Sequence, residues 1–114
     1  KAAFADTDRA ALLTRLTAAF NGRVRVNILN DGRFVGLVLA DEAVQTLVKV
    51  PDAFAVTNAT AAVCTTTVPD CTSQTLVASG ASASWLWADD RRLAFGGQAR
   101  LSSLGMARAV GNPF

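Results

Sequence analysis

Apolar residues in the first third of the chain follow a helical period and then a strand period. Recurrence at three- and four-residue intervals predicts an amphipathic helix, on the positions Leu12, Leu13, Leu16, Ala19 and Phe20. Asp6-Thr7-Asp8 precedes this helix as a capping segment, and Asn21-Gly22 is a typical C-terminal signal. Polar and apolar residues alternate over residues 23–28, which predicts a β-strand. A helix, a tight turn and a strand form half of a βαβ unit, so the pattern favours an α/β fold with a parallel sheet.

Two further helices are predicted by apolar spacing. Val44, Leu47 and Val48 are expected to face inward from a helix over residues 40–49, which Pro51 ends. Leucine, alanine and valine positions place a last helix over residues 97–110. The Thr-, Ser- and Ala-rich residues 61–84 predict a long loop.

Three helices and one firm strand, with one or two more strands at most, would make an incomplete sheet. A sheet this small leaves an edge that needs covering. We therefore expect residues 1–114 to form a single domain or lobe, the C-terminal part of a larger α/β protein. An upstream segment or a second chain is the expected partner that completes the fold.

The composition and charge of the chain limit the classes of function that it can have. Hydrophobic residues make up 51% of the 114 residues, which suits a globular core. The net charge is only +2 and the basic residues are dispersed, so we expect no nucleic-acid partner. No apolar run approaches the ~18 residues of a membrane helix, so no transmembrane segment is expected.

Cys64 and Cys71 are the only cysteines, and they bracket the polar residues 65–70. The chain has no histidine, so these two cysteines cannot complete the four-ligand set of a structural zinc site, and they do not form a Cys-x-x-Cys redox motif. We expect no metal, no cofactor and a disulfide that closes a short loop; the alternative is two free thiols in a cytosolic loop. A disulfide would place the protein outside the cytoplasm, as a secreted, periplasmic or cell-surface protein.

Candidate chemistry is concentrated in residues 85–98, WLWADDRRLAFGGQ. An apolar run leads to the carboxylates of Asp89 and Asp90. The Gly96-Gly97 pair then begins a helix, and we interpret this pair as part of a tight turn rather than as an anion-binding site. Trp85 and Trp87 would share one face of a strand, as core or subunit-interface residues rather than sugar-stacking platforms. No serine lies in a Gly-x-Ser-x-Gly or Gly-Asp-Ser context, so the chain offers no credible nucleophile.

The segment 86–98, LWADDRRLAFGGQ, resembles the closing acid-base block of the GDSL (SGNH) esterase/lipase family, especially its secreted and autotransporter-type bacterial members. Residues 39–44 and 50–60 resemble the blocks that precede it in the family, so the resemblance spans most of residues 10–110. It implies the last strand and helices of a flavodoxin-like α/β/α sandwich. It also implies that the nucleophilic serine and the oxyanion-hole residues lie upstream of this chain.

The resemblance places Asp89 at the position of the triad aspartate and Arg92 at that of the catalytic histidine. Arginine stays protonated and cannot take the serine proton as a general base. The first hypothesis is therefore an impaired or non-catalytic lobe of a serine carboxylesterase or lipase. The alternatives are a fragment of an active esterase acting on a small ester, with its nucleophile upstream or on another chain, and a small secreted interaction domain.

Each of the two site residues also has a structural interpretation. Asp89 is equally compatible with a turn or helix-cap carboxylate, because aspartate is common in such loops. For Arg92, a surface arginine paired with Asp89 or Asp90 is favoured over a group that binds an anion in a former active site.

Overall fold

A computed structural model of the chain describes residues 7–29 and 35–111, and their contacts group into two units. The first unit comprises residues 1–38 and 108–114 and contains helix α1, Thr7–Asn27. The second comprises residues 39–107 and contains all the strands of the described residues. No helix among the described residues is long and apolar enough to cross a membrane.

Helix α1 continues through the segment for which we predicted a strand, so the strand over residues 23–28 is wrong. The amide of Ile28 donates to the Val24 carbonyl at 3.0 Å, and Asn27 Nδ2 donates to the Arg23 carbonyl at 2.8 Å. A helix satisfies its backbone groups within itself, whereas a strand needs a neighbour. Because α1 buries none of its side chains, no core selects the alternating pattern, and Gly22 remains inside the helix at a cost of about 1 kcal/mol. Asp6, of the predicted capping segment, lies outside the described residues.

Helix α2, Ala40–Lys49, has the predicted bounds, and Pro51 begins a 3-10 turn, Pro51–Phe54, directly after it. Acidic residues in its first turn and Lys49 in its last match the helix dipole. Leu47 is buried and Val44 is half-buried, but Val48 is 43% exposed, so the expectation that Val48 faces inward is wrong.

Two short strands, β1 (Asn58–Ala62) and β2 (Trp85–Trp87), pair in parallel. The register joins Asn58 to Trp85 and Ala62 to Trp87, with an irregularity between these pairs. The α/β class with a parallel sheet is therefore confirmed, although the chain builds this sheet from other residues than 23–28. On its other side, β2 is bridged in antiparallel fashion by Leu93.

The predicted loop over residues 61–84 contains more order than expected. It includes the end of β1, a second antiparallel bridge between Cys64 and Leu76, and the one-turn helix α3, Ala81–Ser84. Thr65 and Thr75 bond across this bridge, the Thr65 amide donating to the Thr75 carbonyl at 2.9 Å. Hydrogen bonds of hydroxyl and backbone groups order this segment. Such bonds leave no periodic apolar pattern in the sequence, so the sequence predicts a loop.

The core of the second unit consists of two small clusters. Leu47, Val56 and Leu86 form the first, with Ala59, Trp87 and Leu93 packed against it. Val63, Ala81 and Ala94 form the second, with Trp85 and Leu76 among the residues against it. The tryptophans are half-buried core residues as expected, but Trp85 packs against the second cluster and Trp87 against the first.

Helix α4, Phe95–Val110, begins two residues before the predicted start. Gly96 and Gly97 allow close packing rather than a turn. A Cβ added at Gly96 would lie 2.1 Å from the carbonyl oxygen of Ala83, and one at Gly97 would lie 2.8 Å from that of Leu86. Only glycine lets the start of α4 approach the backbone of α3 and β2 this closely.

Candidate functional site

Asp89 lies in a tight turn that folds the chain back along β2. The Ala88 amide donates to the Arg92 carbonyl at 2.8 Å, and the Ala94 amide donates to the Leu86 carbonyl at 2.9 Å. Inside this turn, Asp89 Oδ1 accepts the amides of Arg91 and Arg92, at 2.8 and 2.6 Å. Aspartate is common in turns because its side chain can accept hydrogen bonds from backbone amides a few residues later.

Arg92 occupies the other carboxylate oxygen of the same residue. Its Nη1 donates to Asp89 Oδ2 at 2.6 Å, with the Asp89 side chain 19% and the Arg92 side chain 59% exposed. The backbone amide of Arg91 and then the amide and guanidinium of Arg92 hold the pKa of Asp89 below its ordinary value of 3.8, although partial desolvation opposes them. The structure thus brings the two predicted site residues together as an ion pair.

In this arrangement, neither Asp89 nor Arg92 is free to accept a proton as a general base. Both carboxylate oxygens of Asp89 are engaged by groups of the turn itself, and Arg92 has no lone pair to offer. The neighbouring pair of Arg91 and Asp90 is longer, 3.6 Å, and lies between exposed side chains. In residues 7–29 and 35–111, no cluster of cysteine and acidic side chains is suited to hold a metal ion.

The predicted disulfide is confirmed and lies beside this turn. Cys64 and Cys71 are bonded, with their Cα atoms 5.7 Å apart. The Cys64 amide donates to the Ala88 carbonyl at 3.1 Å, directly before Asp89 in sequence. The four residues singled out from the sequence therefore belong to one region of the second unit.

Arg100 is a central residue that sequence reasoning missed. From α4, its Nε donates to the Phe54 carbonyl at 2.7 Å and its Nη2 to the Ala55 carbonyl at 2.8 Å. Its Nη1 donates to the carbonyls of Gly96 and Ala83, at 2.7 and 3.3 Å. The guanidinium therefore links α4 to the 3-10 turn and to α3. Three of its four partners are backbone carbonyls 17 to 46 residues away in sequence, so no local motif marks it.

Two open cavities of about 360 Å³ each lie in the second unit. The first is largely apolar and lies between α2 and α4, with Leu47, Phe54 and Leu104 in its walls. The second is lined by the disulfide, by Ser73 and Ser82, and by Leu93 next to the Asp89 turn. Neither of these two cavities is lined by Asp89 or Arg92.

Asp89 and Arg92 thus form an ion pair within their own turn, beside the disulfide of Cys64 and Cys71. Two cavities lie in the same unit, and one of them adjoins the turn through Leu93. In comparisons with known proteins, no family model, curated protein or solved structure matches this chain.

Proposed function

We propose that this chain is a non-catalytic lobe related to the GDSL-type serine ester hydrolases. Residues 86–98 would be the counterpart of the family's acid-base block, with Asp89 at the acid's position and Arg92 at the base's. The ion pair between Asp89 Oδ2 and Arg92 Nη1, 2.6 Å long, is the observation that carries the proposal. A triad aspartate serves by accepting a bond from the base's imidazole. Here a permanent cation takes that bond, and it cannot shuttle a proton.

The same proposal extends to the fold. The parallel pair of β1 and β2, with α2 and α4, would be the last part of a flavodoxin-like α/β/α sandwich. Two strands of five and three residues are fewer than a free-standing sheet normally has, which supports completion by an upstream segment or a second chain. The disulfide supports a location outside the cytoplasm, as a secreted, periplasmic or cell-surface protein.

The test is ester hydrolysis by the full-length protein that carries this chain. Unmodified protein is expected to show no serine-dependent burst with a short-chain aryl ester and no labelling by a fluorophosphonate probe. Arg92→His supplies an imidazole beside Asp89, and it is expected to create hydrolysis above background. Arg92→Lys is the matched control, because it keeps a cation at the same position and is expected to stay inactive.

Two outcomes would contradict the proposal in different ways. A serine-dependent burst by the unmodified protein means that another segment or chain supplies a working base, which favours a fragment of an active esterase. An Arg92→His variant that shows neither ester hydrolysis nor labelling of a serine by the probe removes the relation to the hydrolases. A secreted interaction domain would then be the better description.

A further inference from the structure

Helix α1 presents a continuous apolar stripe to solvent. Leu12, Leu16 and Phe20 are spaced four residues apart on one face and are 48, 56 and 69% exposed. Leu13 lies beside them and is also exposed. No side chain of α1 is buried, although helices in water owe most of their stability to packing an apolar face. The stripe therefore has the composition of a surface that another phase or molecule covers.

Positive charge accompanies this stripe. Helix α1 contains four arginines and one acidic residue, Asp8. Arg9 precedes Leu12 by three residues and Arg23 follows Phe20 by three, so both lie at the ends of the apolar face. The unit that contains α1 has seven basic and three acidic residues, whereas the other unit has four and six. The small net charge of the whole chain thus conceals a basic unit and an acidic one.

We infer that α1 is an interfacial helix that lays this stripe on an anionic phospholipid surface. Leucine and phenylalanine side chains enter the boundary between headgroups and acyl chains. The long stem of Arg23 extends along the apolar region while its guanidinium group reaches the lipid phosphates. The inference does not depend on the proposed function, because it concerns a different unit and needs no catalytic step.

Other occupants fit the stripe less well. A second copy of α1 would bring together two helices that each carry four arginines, so like charges would oppose the contact. An acidic protein would match the charge. However, a lipid surface also matches the position of Arg23 at the end of the apolar face, where its stem can extend to the headgroups. An acidic protein partner is therefore treated as a competing outcome of the test.

The test is flotation with vesicles of phosphatidylcholine that contain roughly one third phosphatidylserine, compared with pure phosphatidylcholine. The unmodified protein is expected to bind the anionic vesicles at least about tenfold more strongly than the neutral ones, because each arginine near the surface contributes. Phe20→Glu is expected to weaken binding to the anionic vesicles by at least about tenfold, since it removes a large apolar side chain from the interface.

Ala18→Glu is the matched control. It changes the net charge by the same amount as Phe20→Glu, but Ala18 lies about 200° around the helix from Phe20, on the opposite face. Its binding is expected to stay well above that of Phe20→Glu. Circular dichroism checks that both variants keep the helix content of the parent.

Three results would overturn the inference. The first is the absence of binding to anionic vesicles. The second is an equal loss of binding in the Phe20→Glu and Ala18→Glu variants, which would mean that charge alone acts. The third is a protein that does not bind vesicles but does bind another molecule. Dimerisation through Phe20 in sedimentation would assign the stripe to a second copy, and binding of polyglutamate would assign it to an acidic protein.

Discussion

Asp89 is an acidic residue whose bonding capacity is used by its own turn. Its two oxygens accept two backbone amides and one guanidinium donor, all from residues two and three positions later. This local satisfaction explains why the pKa of Asp89 is lowered, first through the amide of Arg91. It also defines a role for the residue that needs no substrate: the ionised carboxylate stabilises the turn between β2 and α4.

Asp89→Asn tests this role through the pH dependence of stability. Because the folded state lowers the pKa of Asp89 below 3.8, the stabilisation is complete above that value and is lost as the pH falls through the folded pKa. We expect Asp89→Asn to be less stable than the parent at neutral pH. The difference in free energy of unfolding should shrink steadily as the pH falls below 3.8, in denaturant titrations at a series of pH values.

Asp90→Asn is the control for this experiment. Its ion pair with Arg91 is longer, 3.6 Å, and joins exposed groups, so a smaller loss at neutral pH is expected. In Asp89→Asn, the amide oxygen can still accept the backbone amides of Arg91 and Arg92, so the substitution removes the charge together with the acceptor for the Arg92 guanidinium. If the parent and Asp89→Asn kept a constant difference down to strongly acidic pH, the carboxylate would not be the stabilising group.

At the scale of elements, the quality of the sequence-based predictions followed the strength of local signals. Helix α2 has the predicted bounds because acidic residues, apolar spacing and Pro51 agree. The alternation over residues 23–28 led to a wrong strand prediction, because this segment faces no core and helix α1 continues into it. Strand β1, with the sequence NATAA, has no strand-like pattern at all, so its pairing with β2 depends on residues far away in sequence.

The same limit applied to the candidate site. The pairing of Asp89 with Arg92 could be foreseen, since the two residues are three apart in a turn segment. The contacts of Arg100 could not, because two of its acceptors, the carbonyls of Phe54 and Ala55, precede it by 46 and 45 residues. The Gly96-Gly97 pair was visible in the sequence, but its reason, close packing against Ala83 and Leu86, depends on tertiary structure.

Gly96→Ala tests the packing of α4. The new Cβ would lie 2.1 Å from the Ala83 carbonyl oxygen, so the start of α4 must move away from α3. We expect a loss of about 3 kcal/mol in the free energy of unfolding, measured by urea denaturation. Gly105→Ala in the same helix is the control. Nothing lies within 4 Å of its added Cβ, so alanine's helix propensity should raise stability by about 0.5–1 kcal/mol. A stabilising Gly96→Ala would contradict the close approach.

At the scale of the whole molecule, the two units differ in how they are stabilised. The second unit has two apolar clusters, a disulfide and the contacts of Arg100. Helix α1 in the first unit has its backbone hydrogen bonds but buries none of its side chains. Opening free energies within one protein range from near zero up to that of global unfolding, and they follow buried contacts. The two units should therefore differ widely in local stability.

Hydrogen exchange of the free protein measures this difference. We expect the amides of α1 to exchange within about a hundredfold of unfolded rates, because α1 buries no side chain and helices in proteins owe most of their stability to packing. The amides of Val63 and Ala94, which bond to Trp87 and Leu86, should be protected up to the global free energy of unfolding. Replacing both Cys64 and Cys71 by serine removes the constraint on a short loop, so protection at Val63 should fall by about 2–3 kcal/mol, while exchange in α1 stays unchanged. Strong protection of α1 in the free protein would contradict this, because it requires a cover over the exposed Leu12, Leu16 and Phe20.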